Sequence, residues 1–188
     1  MPRLVGMAFM SKIGRQPIAF TSAKVEIAGN KVMVQGSKEK FVHELPESIE
    51  IALKGNVLKL TVKEQTRKNR MLWGLHRVLL ANGIKGVETG FEKKLSIVGL
   101  GFKAALAGKK ITFTLGYTNK IDFDLPHGVT VDIDKTGQIL VFKAADKFVL
   151  GNVCDTIRSF RRPEPYKGTG IIREGDVIIR KAGKTKSA

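Results

Sequence analysis

Cysteine is almost absent from this 188-residue chain, which contains only Cys154. A single cysteine cannot form an internal disulfide, and it excludes a zinc site built from several cysteines. Long apolar runs are also missing, and none approaches the roughly 18 residues that a membrane-spanning helix requires. The first ten residues lack the apolar core and the small-residue cleavage site of a secretory signal. These absences predict a soluble intracellular protein in a reducing compartment.

Residues arranged for catalysis or for cofactor binding are scarce as well. The segment GLGFKA, at 99–104, fits a dinucleotide fingerprint. Gly108 interrupts any helix after it, however, and the next residues alternate like a strand, so the turn required at a pyrophosphate is missing. The segment DIDKTG, at 132–137, resembles half of a calcium loop, but Lys143 stands where the bidentate glutamate is needed. The sequence therefore predicts no bound cofactor and no metal.

Histidine and cysteine give no better support for an enzyme. The histidines are scattered, without the spacing of a zinc-binding helix: His43, His76 and His127. Cys154 falls beside the apolar stripe of a predicted helix, which favours a small buried side chain over a nucleophile. No group of residues supports covalent or acid–base catalysis, so we expect a protein that is not an enzyme.

Acidic residues are outnumbered almost two to one. The chain has 33 lysines and arginines against 17 aspartates and glutamates, with a formal net charge of +16. Such an excess favours a polyanionic partner. A membrane-surface protein usually concentrates its charge on one amphipathic helix with a wide apolar face, and no such helix stands out. Nucleic acid is therefore the predicted partner, with no membrane and no small-molecule substrate.

An internal repeat determines the predicted fold. Alternating apolar residues around glycine-containing turns indicate β-hairpins. The order of hairpin, Leu-Pro and hairpin occurs twice: at 25–34, Leu45-Pro46 and 49–62, and again at 103–115, Leu125-Pro126 and 129–142. The first two hairpins turn at Gly29-Asn30 and Gly55-Asn56. The repeated order predicts an internal duplication.

Each repeat ends in a helical pattern. In the first helix, apolar residues recur at i+3 and i+4, and Asn82-Gly83 provides a stop. These residues are Met71, Leu72, Leu75, Val78 and Leu79. In the second helix the same spacing relates Val149, Val153, Ile157 and Phe160, after Asp146 as the cap and before Pro163. Trp73 shares a face with Arg70 and Arg77, and both core packing and base stacking remain open for it.

The predicted fold class is therefore α+β, with two duplicated domains that each consist of a mainly antiparallel β-sheet backed by one α-helix. We expect an N-terminal extension at 1–10, a first domain at 11–86, a second domain at 87–172 and a basic C-terminal tail at 173–188. The second domain is the predicted main site of RNA binding.

The densest positive charge follows the second helix. From residue 158 to residue 188 there are nine lysines and arginines against three acids. Cations at a helix C-terminus also favour the helix dipole, but this accounts for only one or two of them. Tyr166 can present a ring for stacking, and Gly168 and Gly170 allow the backbone to approach phosphates. The segment therefore favours RNA contact over a solvated loop.

Three segments carry a resemblance to a known family. They are PEPYKGTGI after IRSFRR, the run GVETGFEKKLSIVGLGFKAALAGKKITFTLGY at 86–117, and MSKIGRQPI at 10–18. Together they resemble bacterial-type ribosomal protein six of the large (50S) subunit, over about residues 10 to 184. The chain departs from the family pattern at Thr169 and at Ile172-Arg173, where the family has a second lysine and an arginine–tyrosine pair.

The resemblance implies a structural protein of the large ribosomal subunit that binds 23S-type rRNA. It implies a position near the sarcin–ricin loop and the stalk base, beside neighbouring large-subunit proteins and translation factors, on a cytoplasmic or organellar ribosome. The rRNA-binding residues it implies are Arg158, Arg161, Arg162, Tyr166, Lys167, Gly168, Gly170, Arg173, Lys181, Lys184 and Lys186. The alternative is a free-standing basic protein that binds many nucleic-acid sequences with similar affinity.

Overall fold

The computed structural model describes residues 11–36 and 39–183. The chain divides into two compact units, one ending at Gly90 and the other beginning at Phe91. The expected boundary between residues 86 and 87 falls inside the last turn of a helix, because helix α1 runs from Arg67 to Glu88. The predicted extension at 1–10 lies outside the described residues. None of the helices described is long and apolar enough to cross a membrane.

The described part of the first unit contains six strands and α1. The strands are β1 (Ile18–Ala19), β2 (Lys24–Ala28), β3 (Lys31–Gln35), β4 (Lys40–Glu44), β5 (Ile49–Lys54) and β6 (Val57–Val62). They form two antiparallel sheets in the orders β1-β6-β5 and β2-β3-β4. The predicted hairpins are confirmed, and Gly29 and Gly55 have positive φ at the first central position of their turns, as a type II′ turn requires.

The second unit repeats this order and adds one strand after its helix. Its elements are β7 (Phe91–Val98), β8 (Lys103–Ala107), β9 (Lys110–Thr114), β10 (Ile121–Asp124), β11 (Val129–Ile133), β12 (Ile139–Ala144), α2 (Lys147–Phe160) and β13 (Gly170–Arg173). The sheets have the orders β10-β9-β8 and β11-β12-β7-β13. All their pairings are antiparallel, so the predicted α+β class is confirmed.

The two Leu-Pro segments make the same backbone hydrogen bonds. In the first unit, Leu45 N–H donates to the Asn30 carbonyl at 2.8 Å and Ile49 N–H donates to the Pro46 carbonyl at 3.0 Å. In the second unit, Leu125 N–H donates to the Lys109 carbonyl at 2.9 Å, and Val129 N–H donates to the Pro126 carbonyl at 3.4 Å. The leucine bond ties each segment to the turn of the preceding hairpin. The predicted duplication therefore extends to individual bonds.

Helix α1 faces its core with residues other than those of its predicted stripe. Trp73, Leu80 and Ile84 are buried, and Trp73 Nε1 donates to the Leu60 carbonyl at 3.0 Å. Trp73 is only 6% exposed, so core packing describes it and base stacking does not. Of the predicted stripe, only Leu72 packs partly against this core. The other four residues of that stripe are exposed: Met71, Leu75, Val78 and Leu79.

The predicted stop at Asn82-Gly83 is wrong, because α1 continues to Glu88. Gly83 is buried, and a Cβ built on it would lie 2.7 Å from Cζ of Phe41, inside van der Waals contact. Glycine is needed here so that the helix can approach the ring, and its ability to end a helix is not used.

Helix α2 agrees with its predicted pattern. Asp146 accepts a hydrogen bond from Phe148 N–H at 2.7 Å, and the helix ends at Phe160 before Pro163. Val153, Cys154 and Ile157 are buried in the second core, with Val149 and Phe160 packed against it. Burial raises the pKa of the Cys154 thiol, as expected of a structural cysteine.

Candidate nucleic-acid interface

A closed loop follows α2 and leads into β13. Glu164 N–H donates to the Thr169 carbonyl at 3.0 Å, and Gly168 N–H donates to the Glu164 carbonyl at 3.0 Å. The loop is anchored where Ile171 N–H donates to the Arg161 carbonyl at 2.8 Å. These bonds arise within the proline- and glycine-rich segment that the sequence singled out. They hold the segment in a defined shape on the surface of the second unit.

The two glycines of this loop are buried. Gly168 has φ +73° and Gly170 has φ +143°, which L side chains rarely adopt. A Cβ built on Gly170 would lie 2.8 Å from the Arg162 carbonyl oxygen and 2.8 Å from Pro163 Cα. Both glycines are therefore required by the folding of the loop itself, whatever the backbone contacts outside it.

The tail runs alongside this loop. Lys181 N–H donates to the Pro165 carbonyl at 2.8 Å, and a Cβ built on Gly168 would lie 3.2 Å from Nη2 of Arg180. Arg180 is thus brought to the loop although sequence analysis did not select it. Its place among the basic residues of the tail was the only signal that it carried.

Two of the predicted RNA-binding arginines form ion pairs within the unit. Arg158 Nη2 lies 3.0 Å from Asp176 Oδ2, and Arg173 pairs with Asp155. The four side chains join α2 to β13 and to the residues just after it. The structure thus places Arg158 and Arg173 where they hold the tail against the helix.

Arg161 lies against two aromatic rings. Its guanidinium carbon is 4.8 Å from the centroid of Tyr117 and 5.5 Å from that of Phe102, both within cation–π range. Tyr117 Oη donates to the Phe160 carbonyl at 3.1 Å, which fixes the ring beside the end of α2. Sequence analysis missed both rings, because they precede Arg161 by more than 40 residues and only the fold brings them together.

The other cations of the loop and the tail point to solvent. Arg162, Lys167, Arg180 and Lys181 are exposed, and within the described residues none of them forms an ion pair. Tyr166 is 53% exposed between them in sequence. We call these five residues the basic loop surface. Lys184 and Lys186 lie outside the described residues.

Lysines on the sheets of the same unit have acidic partners. Lys143 Nζ lies 2.9 Å from Asp132, and Lys110 Nζ lies 3.5 Å from Asp122. Lys94 lies 3.9 Å from Glu174. Because the charges of these pairs offset each other on the sheets, the uncompensated positive charge of the unit collects at the basic loop surface.

The segments considered for catalysis have structural roles. GLGF, at 99–102, forms the turn between β7 and β8 and opens no helix. Asp134 accepts hydrogen bonds from the N–H and the hydroxyl of Thr136, and these lower its pKa, so DIDKTG is a hairpin turn. Among the residues that the structure describes, no group of three or more histidine, cysteine or acidic side chains is placed to hold a metal ion.

Sequence analysis missed one histidine pair. His43 Nε2 and His76 Nδ1 are 2.9 Å apart, on β4 and α1, although 33 positions separate them. Burial lowers the pKa of both rings, and the neighbouring His76 lowers that of His43 further. The pair joins the sheet to the helix in the first unit.

Comparison with known proteins agrees with this architecture. The family model described as ribosomal protein L6 matches residues 21–90 and 98–174, one segment in each unit. The chain belongs to the ribosomal protein L6 family. As a member of it, the protein is a structural constituent of the large ribosomal subunit and is not an enzyme.

Three relatives show how far the similarity extends, each named large ribosomal subunit protein uL6. The protein from Methylacidiphilum infernorum is 42% identical, over 94% of this chain and 98% of its own length. The protein from Azorhizobium caulinodans is 40% identical, over 94% of this chain and 100% of its own. The protein from Synechocystis is 39% identical, over 94% of this chain and 98% of its own. The similarity to the L6 family thus includes both units and nearly the full length of each relative.

Proposed function

We propose that this L6-family protein binds large-subunit, 23S-type rRNA through the basic loop surface. The observation that carries the proposal is the position of the unpaired cations. Arg162, Lys167, Arg180 and Lys181 flank a folded loop, and no carboxylate of the described residues neutralises them. A surface of this kind suits the phosphates of a folded RNA, because neutralising phosphates releases counterions.

Each part of the surface has its own task in this proposal. The four cations contact phosphates, and Tyr166 stacks on an unpaired base or a ribose. Arg158 and Arg173 position the tail through their ion pairs, and Arg161 fixes the start of the loop against Tyr117 and Phe102. Gly168 and Gly170 give the loop its shape. Lys184 and Lys186 extend the same positive charge along the sequence.

The binding is structural, and no substrate is turned over. Each folded unit presents its own loops in a defined shape, so the protein recognises RNA by shape and by its backbone. We further propose that it holds the factor-binding region near the sarcin–ricin loop and the stalk base, on a cytoplasmic ribosome beside neighbouring proteins and translation factors. The family resemblance supports this location.

The proposal is tested with a double variant, Arg162→Ala with Lys167→Ala. The control is Lys54→Ala with Lys59→Ala, which removes two exposed lysines of the first unit. Binding of the purified full chain to large-subunit rRNA is measured over a salt series. The slope of log affinity against log salt should fall in magnitude by about 0.7 to 0.9 for each phosphate that the loop variant no longer neutralises.

The control variant should keep the slope of the natural protein. Equal slopes for the natural protein and the loop variant would remove the basic loop surface from the interface. Competition with an unrelated RNA separates specific binding from the alternative of a general nucleic-acid-binding protein, since only specific binding survives the competitor at moderate salt.

A further inference from the structure

Helix α1 carries an apolar stripe on its solvent side. Met71 is 70% exposed and Leu75 is 52% exposed, and Val78 and Leu79 are exposed as well. Their spacing of i, i+4, i+7 and i+8 places all four on one face of the helix. We call these four residues the outer stripe.

Folding of the first unit does not account for the outer stripe. The core is already covered by Trp73, Leu80 and Ile84, which are the buried apolar residues of this helix. A surface helix normally opposes its apolar face with polar residues. An apolar face directed at solvent marks an interaction site when it is contiguous.

The second unit shows that the duplicated fold works without such a stripe. The exposed residues of α2 between its buried positions are mostly polar: Asn152, Asp155, Thr156 and Ser159. The two helices occupy the same place in the order of elements. The outer stripe is thus a property of the first unit and not of the architecture.

The edges of the outer stripe are basic. Arg67 precedes Met71 by one turn, and Lys68 precedes Leu75 by two turns, while Lys85 lies near the other end. The acidic residue of the helix is Glu88, whose Oε1 accepts hydrogen bonds from backbone N–H groups that precede β2. These donors are Thr21 at 2.7 Å, Ser22 at 2.8 Å and Ala23 at 3.2 Å. The carboxylate is therefore occupied within the unit.

We propose that the outer stripe of α1 docks on another protein, whose contact segment has an apolar face edged by carboxylates. The aliphatic side chains supply burial, and the basic edges select an acidic rim. RNA fits this face poorly, because methionine, leucine and valine neither stack on bases nor donate hydrogen bonds to phosphates. The proposal is independent of the basic loop surface, which belongs to the other unit.

The test places a photo-cross-linking phenylalanine analogue at position 75 of the full chain. Large subunits that contain it are purified and irradiated, and the adduct is identified by mass spectrometry. We expect a cross-link to a protein segment in which aspartate or glutamate flanks apolar residues. A cross-link to rRNA, to a second copy of this chain, or to a protein segment without acids would overturn the proposal, as would the absence of any cross-link.

Two further variants of the cross-linking chain test the chemistry of the contact. Arg67→Glu with Lys68→Glu should lower the cross-link yield about tenfold, because two favourable rim contacts become repulsive. The matched control, Lys54→Glu with Lys59→Glu, should leave the yield unchanged. Equal yields in all three chains would sink the acidic-partner assignment.

The apolar part is tested with Met71→Gln and Leu79→Gln together. Glutamine keeps the helix propensity of these exposed positions, so the circular dichroism spectrum should not change. The cross-link from position 75 should disappear. Met33→Gln with Val42→Gln, which changes exposed apolar residues on paired strands of the same unit, should keep the cross-link. A retained cross-link in the helix variant would contradict docking through the outer stripe.

Discussion

Helix α1 exposes Met71 and Leu75 to solvent, whereas α2 exposes Asn152 and Asp155. The helices follow the same succession of hairpins in the two units and cover equivalent cores. Loops differ as strongly, because only the second unit continues past its helix into a loop, a strand and a basic tail. The duplicated part is thus the interior, and the two units differ at their surfaces.

Net charge alone does not distinguish the units. Residues 1–90 contain 15 basic and 7 acidic side chains, and residues 91–188 contain 18 basic and 10 acidic ones, so each half has the same excess of 8. In the second half, sheet lysines pair with carboxylates and leave the loop cations unpaired. The position of the unpaired charge, and not its amount, therefore separates a surface suited to RNA from one suited to protein.

The largest expected effect separates the stabilities of the two cores. Phe142→Ala removes a fully buried ring from the second unit and should cost about 3 to 5 kcal/mol of unfolding free energy. The chain's single tryptophan, Trp73, lies in the first core and reports on that unit alone. Circular dichroism should show early unfolding of one part of the structure in denaturant, while the tryptophan fluorescence transition stays in place. A shift of the fluorescence transition by the same amount would show that the units unfold together.

A medium effect contrasts a helical glycine in each unit. Gly83→Ala should destabilise the first unit by about 1 to 3 kcal/mol, because the new methyl group meets the Phe41 ring. Gly151→Ala in α2 meets only Lys93 Nζ, at 3.7 Å, and should stabilise the second unit by about 0.5 to 1 kcal/mol. Thermal unfolding followed by fluorescence and by circular dichroism measures both. Opposite signs confirm the contrast, and equal signs contradict it.

The smallest effect concerns pH and the first unit. The pKa values of His43 and His76 are lowered from the ordinary 6.5 on folding, so the folded unit binds fewer protons than the unfolded chain. Stability contributed by the neutral pair is present above pH 6.5 and is lost as the pH falls from there through the lower folded values. Trp73 fluorescence in urea at pH values of about 7.5, 6.5 and 5.5 should show a falling midpoint. His43→Gln with His76→Gln should flatten this dependence, and an unchanged slope in that variant would assign it to other groups.

Local turn chemistry explains which parts of the fold were predictable. Gly29-Asn30 and Gly55-Asn56 specify hairpins through their own backbone preferences, and Asp146 caps α2 through an oxygen two residues from its donor. Such signals act over a few residues and can be read without the rest of the chain. The duplication followed from them because each Leu-Pro segment keeps its place between hairpins.

Periodicity explains what was not predictable. Helix α1 has two apolar faces, and the spacing of Met71, Leu75 and Val78 matches a core-facing stripe as well as that of Trp73, Leu80 and Ile84 does. Only the packing of the sheets determines which face is buried. Gly83 gave a false helix end for the same reason, because its partner Phe41 lies far away in sequence.

The candidate site was predicted as a segment, but the separate roles of its residues were not. Charge density selected 158–188, yet charge cannot tell Arg162, which is exposed, from Arg158, which is paired with Asp176. The rings beside Arg161 come from the β7–β8 turn and the residues after β9. Their approach is a tertiary property that no local pattern contains.

The ion pairs between α2 and the tail have a consequence for alignment. Asp155 and Arg158 are one helical turn apart, and their partners Arg173 and Asp176 have the same spacing with the signs reversed. A tail laid down in the opposite direction would set arginine against arginine and aspartate against aspartate. Although exposed pairs add only about 0 to 1 kcal/mol each, their complementary order distinguishes one direction of travel from the other. The two pairs therefore set the polarity of the tail, so that Arg180 and Lys181 arrive beside the loop.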